Sequence, residues 1–164
     1  MACRGVHFAI DATIAQRLLA SVGDDEALMA VVEEIEQAWD GDHVAESDKA
    51  WDAIHRCLTD GELLYDNGEY PLNRVVVGGQ QLHEGDDYTV SYVSPSEVKD
   101  VAKALEAVTP EWFRDRYVKV VPKDYSPNYG AEDLEYSWSW FEGVKALFTR
   151  AAAEDRAVIF TVDA

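Results

Sequence analysis

The chain has 164 residues, 48% of them apolar, which suits one domain with a sizeable core and is too short to suggest two. Acidic side chains outnumber basic ones 32 to 14, for a formal net charge of -18; such a surface repels nucleic-acid phosphates and anionic membranes, and any partner that it attracts over long range is a basic protein. No apolar run approaches the ~20 residues that span a bilayer, the N-terminus lacks the layout of a signal peptide, and two distant cysteines, Cys3 and Cys57, make no disulfide framework, so a cytoplasmic protein with both thiols acting as small apolar residues is expected.

Val6, Phe8 and Ile10, alternating with His7 and Ala9 just after Gly5, predict a short strand. Asp11 or Thr13 then caps a helix with Ile14, Leu18 and Val22 on its apolar face, Ala15 and Leu19 beside them, ending near Gly23. A second helix is expected from about Asp24 to Trp39, with Leu28, Val31, Val32, Ile35 and Trp39 inward and Glu33, Glu34 and Glu36 largely outward. Asp24, Asp25 and Glu26 favour its N-terminal end. Asp40 to Glu46 breaks the pattern, with His43 as an exposed loop residue.

The sharpest feature follows. Between Ser47 and Gly61, Trp51, Ile54, His55 and Leu58 fall at i, i+3, i+4 and i+7, and Ala50, Ala53 and Cys57 widen the stripe, so one helix carries a Trp and a His side by side toward the interior. Ser47 is its expected N-cap, Asp48 suits the first turn, Asp60-Gly61 is the stop, and Asp52 and Arg56 form a surface ion pair at i, i+4. Asp66-Asn67-Gly68 is a turn, and Pro71 starts a short helix or, less favoured, precedes a strand through Val75, Val76 and Val77. Gly78-Gly79 and the loop from His83 to Asp87 have the freedom for a backbone approach to a ligand, but no phosphate-binding pattern completes them.

Tyr88 to Val93 reads as a strand, and Ser94-Pro95-Ser96-Glu97 as a capping box opening a helix that buries Val98, Val101, Ala102, Leu105 and Val108. Thr109-Pro110 restarts a shorter helix containing Trp112, Phe113 and Tyr117, and Val118 to Val121 reads as a brief extended piece halted by Pro122. Lys123 to Gly130 is an irregular loop whose Tyr125 and Tyr129 either rim a binding surface or lid the core. A long helix is expected from Glu132 to Ala153, then a strand from Arg156 to Val162 that is apolar on both faces and therefore internal, beside the N-terminal strand and with the Tyr88 strand completing the sheet. The fold class is α+β: a small mixed sheet including the N- and C-terminal strands, packed by several amphipathic helices.

The run Asp48-Lys49-x-Trp51-Asp52-x-Ile54-His55-x-x-Leu58-Thr59, followed by Pro71-Leu72 and an apolar run into Gly78, resembles the YfbM-like family of small bacterial proteins, as does Gly5-x-x-Phe8-Ala9-Ile10-Asp11. These matches lie in the first half; from about Ser94 onward the similarity is in the order of elements. The resemblance implies one compact α+β domain over residues 1-164 with a Trp-His helix at its centre, and it implies no reaction.

For catalysis, His55 is the best general-base candidate, because imidazole titrates nearest neutrality. Asp48 lies two turns away on the same helix and Asp52 off its face, so no carboxylate on that helix orients the ring, and a structural histidine hydrogen-bonded beside Trp51 is the plainer reading. Cys57, two residues on, points elsewhere, and Ser91, Ser94 and Ser96 lack a nucleophile turn. His7, His43, His55 and His83 have no metal-ligand spacing, so neither metal nor cofactor is expected. The favoured function is a binding module with an acidic surface, one version of which is an inhibitor or immunity-type protein toward a basic protein, with Trp51, His55, Tyr125 and Tyr129 as candidate binding residues; taken alone, the acidity reads more simply as a source of solubility. The rivals are an enzyme with a small-molecule pocket near Trp51, His55 and the Gly78 to Asp87 loop, and a homo-oligomeric scaffold using Trp138 or Trp140, the oligomeric state being open.

Overall fold

A computed structural model describes residues 3–120, 125 and 128–163. Five strands form one sheet: β1 (Gly5–Ile10), β2 (Val44–Asp48), β3 (Gln80–Gln81), β4 (Tyr88–Val93) and β5 (Ala157–Asp163), in the order β2-β1-β5-β4-β3. Every pairing is antiparallel, so the sheet expected as mixed is antiparallel throughout. β5 sits between β1 and β4, as its two-sided apolar pattern requires.

Strand alternation divides the core into two layers. Phe8 and Ile10 of β1, Val90 and Tyr92 of β4, and Ala157 and Ile159 of β5 pack against helices α1 (Ala12–Ala20) and α2 (Asp25–Ala38). Ala9, Val93, Val158, Phe160 and Val162 point the other way, into the larger layer built by α3 (Trp51–Leu58), α4 (Pro95–Leu105), α5 (Pro110–Val120) and α6 (Ala131–Ala153). Both faces of the central strands are therefore covered by helices, which is why β1 and β5 lack a polar face.

Local chemistry sets most boundaries. Asp11 caps α1 through the Ile14 amide at 2.9 Å, and Asp24 caps α2 through Ala27. The α1 face is shorter than its pattern: the helix ends at Ala20, so Leu19 and Val22 are exposed while Ala15 and Leu18 are buried. The capping box at α4 is complete, with the Glu97 amide donating to Ser94 Oγ and the Ser94 amide to Glu97 Oε1. Ser94→Ala is expected to cost about 1 kcal/mol, measured by urea unfolding, with little change in the denaturant slope.

Two expectations are corrected, and the short helix expected after Pro71 is present. The central helix begins at Trp51, not after Ser47; Ser47 lies in β2, fully buried, where its hydroxyl donates to the Gly5 carbonyl. β-sheet pairing with β1 overrides the capping potential of Ser47, and Asp48 turns the chain in the left-handed region (φ 47°), a conformation that Asp tolerates better than most residues. Gly5 permits this close crossing, since a Cβ there would stand 2.6 Å from the Phe160 ring and 2.8 Å from Ser47 Oγ. Residues 118–120, expected as extended, continue α5; Val121 lies outside the described residues, as do Lys123, Asp124, Ser126 and Pro127 of the tyrosine loop. Leu72–Arg74 forms a short 3-10 helix, and Val75, Val76 and Val77 are buried turn residues. Among the described residues no helix is long and apolar enough to cross a membrane.

Candidate functional site

α3 presents Ala53, Ile54, His55, Cys57 and Leu58 to the interior, and its Trp51 and His55 part company there. Trp51 is half-buried against Phe160, ring centroids 5.9 Å apart, and its indole N–H donates to the Cys3 carbonyl at 2.9 Å. His55 is 1% exposed and faces the loop after the helix, where its Nε2 lies 2.9 Å from Asn67 Oδ1.

The amide of Asn67 fixes the proton on that ring. Its Nδ2 faces three acceptors: Asp60 Oδ1 at 2.5 Å, the Glu62 carbonyl at 2.8 Å and Thr59 Oγ1 at 3.2 Å. Thr59 can accept there because its hydroxyl proton is donated to the His55 carbonyl at 2.7 Å. Oδ1 must therefore accept, and His55 Nε2 carries the hydrogen that it receives. Burial lowers the His55 pKa, opposed by the bonds to Asn67 and the Leu64 backbone, so the ring is neutral near pH 7. It binds a loop in place and lies behind it, not in a cleft. Burial likewise pushes the Cys57 thiol far up, which keeps it protonated and unreactive.

The four histidines do not converge. His7 is enclosed between Phe148 and Phe160 with Nε2 2.6 Å from the Val75 carbonyl. His43, expected as an exposed loop residue, is instead clamped between Asp40 Oδ2 and Glu154 Oε1, both at 2.7 Å, and the Glu154 hydrogen bond, ahead of that from Asp40, raises its pKa. His83 contacts the Gly85 carbonyl and stands 3.8 Å from Asp25 and Asp87. Among the described residues no group of three or more His, Cys, Asp or Glu side chains is placed to hold a metal.

Tyr125 of the tyrosine loop does reach a concave surface. A groove of about 500 Å³ opens between the N-terminal ends of α3 and α6, lined by Asp52, Tyr125, Glu132, Asp133 and Tyr136, with Lys49 the basic side chain among its described lining residues. Tyr125 and Tyr117 both donate to Asp133 Oδ2, at 2.9 and 2.5 Å. Burial, followed by that carboxylate, raises the pKa of both phenols, so they remain neutral donors. Tyr136 donates to Asp48 and receives the Lys49 amide. Asp52 spends one oxygen on Arg56 Nε at 2.6 Å, the ion pair expected from the sequence, and the Arg56 guanidinium lies 5.3 Å from the Tyr125 ring centroid. Asp133 differs from its neighbours: its charge is met by two neutral hydroxyls, and among the described residues by no cation within ion-pair distance.

Of the four candidate binding residues, the structure brings Tyr125 and Tyr129 to this region and leaves Trp51 and His55 inside. Tyr129 stacks on Tyr117 at 4.8 Å with planes 3° apart, next to the Asp133 hydrogen bonds. Asp133, which organises the groove, was not legible beforehand, because its tyrosine partners come from α5 and the loop, 16 and 8 residues away. Trp138 packs on Phe113 and Phe141, Trp140 against Tyr136, and both are half-buried.

A second, larger hollow of about 730 Å³ lies at the other end of α3, between Leu58, Tyr70, Leu72 and Trp112. Arg116 closes its floor by donating to the carbonyls of Cys57 and Thr59, which would otherwise end α3 unpaired. Gly61 beyond it (φ 99°) lets the chain pass α5, where a Cβ would stand 1.8 Å from the Val120 carbonyl oxygen.

The model of the family described as domain of unknown function (DUF1877) matches residues 1–161. Among solved structures, the protein of unknown function YfbM from Escherichia coli is similar over 99% of both chains, with a TM-score of 0.70 at 18% sequence identity, a likeness of fold. Among curated proteins no match is found.

Proposed function

We propose that this chain, which belongs to the DUF1877 family, is a single-domain binding protein whose tyrosine-lined acidic groove receives a cationic side chain from a basic protein partner. The observation that carries this reading is Asp133, a half-buried carboxylate held by two phenol donors and without a cation at ion-pair distance among the described residues, with Glu132 and Asp52 beside it. A lysine or arginine entering the groove meets a carboxylate already oriented, and the rings of Tyr125 and Tyr136 offer faces for its stem and its charge. The net charge of -18 adds long-range attraction to such a partner. An inhibitor or immunity-type role, masking a basic site on a nuclease or toxin, is one form of this function.

A hexa-arginine peptide titrated into the protein at low ionic strength, followed by tyrosine fluorescence and calorimetry, tests it. Asp133→Asn keeps an acceptor for both phenols and removes the charge; with Glu132→Gln it is expected to weaken binding by about tenfold. Glu26→Gln with Glu33→Gln, both exposed on α2 across the sheet, removes the same two charges and is the control; an equal loss there would show that the peptide reads overall charge and not the groove.

A further inference from the structure

On the opposite face of the sheet, a small cavity of about 190 Å³ lies where α1 and α2 meet the end of the β1–β5 ladder. We propose that it binds a small zwitterion with an apolar side chain, a free α-amino acid of about leucine's size. The cavity is independent of the groove described above, and the inference does not rest on that reading.

Size sets the first limit. A dry cavity of about 150 Å³ accommodates benzene, and drug-sized ligands occupy about 300–1,000 Å³, so this site suits a molecule only a few atoms larger than benzene. The floor is apolar, made by Phe8, Ile14 and Ile35. The mouth is not.

Ile10 of β1 pairs with Ala157 of β5, so the next residues outward, Asp11 and Arg156, lie just beyond the paired strand ends at the mouth. They do not pair with each other. Arg156 Nε is 3.2 Å from Glu154 Oε1 and its Nη1 donates to the Ala9 carbonyl, which leaves Nη2 without a partner among the described residues. Asp11 spends Oδ1 on the Ile14 amide, and Glu34 spends Oε2 on Arg17, so each retains an acceptor oxygen.

The arrangement discriminates by charge. A lone amine entering the cavity meets Arg156, and a lone carboxylate meets Asp11, Glu34 and Asp40, the last already bonded to His43 and the Asp42 amide; a molecule with both groups on one carbon satisfies both sides while its side chain covers the floor. Arg156 is also held before any ligand arrives, because Glu154 accepts from His43 as well, and His43 is fixed by Asp40.

The test is a titration of the full chain with L-leucine, followed by amide chemical shifts and calorimetry, beside 4-methylpentanoate and isopentylamine, which each keep one charge. Saturable binding with a Kd of about 1 mM or tighter is expected, with shifts at Ile14, Ile35 and Arg156, and with each single-charge analogue at least about tenfold weaker. Ala38 is exposed at the mouth, so Ala38→Phe obstructs entry without removing a contact of the fold, and it is expected to abolish binding. Asp11→Asn keeps the helix cap and removes the charge; it is expected to weaken leucine about tenfold and to leave 4-methylpentanoate no weaker. No shift at these residues at about 10 mM leucine, ten times the expected Kd, overturns the proposal. So does isopentylamine binding as tightly as leucine, or leucine binding undiminished in Ala38→Phe.

Discussion

Asn67→Ala is expected to lower stability by about 2–4 kcal/mol, a fall in Tm of about 5–15 °C for a chain of this size, read by calorimetry or a thermal melt. The buried side chain of Asn67 joins His55 to Thr59, Asp60 and Glu62, so one truncation removes the acceptor of His55 and the two amide N–H groups shared among three acceptors. The heaviest part of the loss is the His55 N–H, left without an acceptor where water does not reach it. Hydrogen exchange should show the effect locally, with amides in residues 59–68 losing protection before those of β1 and β5. Asn67→Asp separates the contributions. It preserves shape and an acceptor for His55, but it replaces the donor that stands 2.5 Å from Asp60 with a second carboxylate, so it should be the worse of the two at pH 7 and recover relative to Asn67→Ala on mild acidification. If Asn67→Ala proves as stable as the parent protein, the network is decoration on a loop held by something else.

This network shows where sequence reading succeeds and where it stops. The α3 stripe was legible because periodicity records which side of a helix is buried, and Trp51, Ile54 and His55 all turn inward. The capping box at Ser94 was legible for a similar reason, since donor and acceptor lie three residues apart and the motif is self-contained. Ser47 misled because the same hydroxyl that caps a helix also satisfies a buried carbonyl, and the choice was made by pairing with β1 more than 40 residues away. β3 is two residues long and held by β4, too short to carry a period of its own. The structural reading of His55 followed from its lack of a nearby carboxylate, but its partner Asn67 sat inside a turn signal that gave no hint of burial. Asp133 and His43 were hidden for one cause: each gains its role from partners on other elements, and charge spacing along the chain is blind to that. The groove and the cavity beside Arg156 are likewise products of packing.

Stability is expected to fall by about 2–3 kcal/mol between pH 6.5 and 4.5, with His7 as the main source. Its ring is enclosed by Phe148 and Phe160, Nε2 contacts the Val75 carbonyl, and Nδ1 has no hydrogen-bond partner among the described residues. Burial lowers its pKa from 6.5 to about 4, more than the Val75 bond raises it. The folded protein therefore declines a proton that the unfolded chain accepts below pH 6.5, so the stability contributed by neutral His7 is present above that pH and is lost as the pH falls toward 4. His55, also lowered, acts in the same direction. His43 acts oppositely, but its raised pKa makes its contribution complete below pH 6.5 and lost only as pH rises through its folded value, so it adds no slope in this window. The carboxylates of Asp25, Asp40, Glu97 and Glu154 are lowered and lose their contributions below the usual carboxylate range. Glu36 is the exception: burial raises its pKa, so the folded protein takes up its proton more readily and offsets part of the histidine loss at the acid end of the window. His7→Phe isolates the main term. It should cost about 1–3 kcal/mol at pH 7, because the Val75 carbonyl loses its donor, yet its stability curve should be nearly flat from pH 6.5 to 4.5, with the opposed slopes of His55 and Glu36 remaining. Urea unfolding at three pH values across the window measures this, and a variant whose curve still parallels the parent's would assign the acid sensitivity to another group.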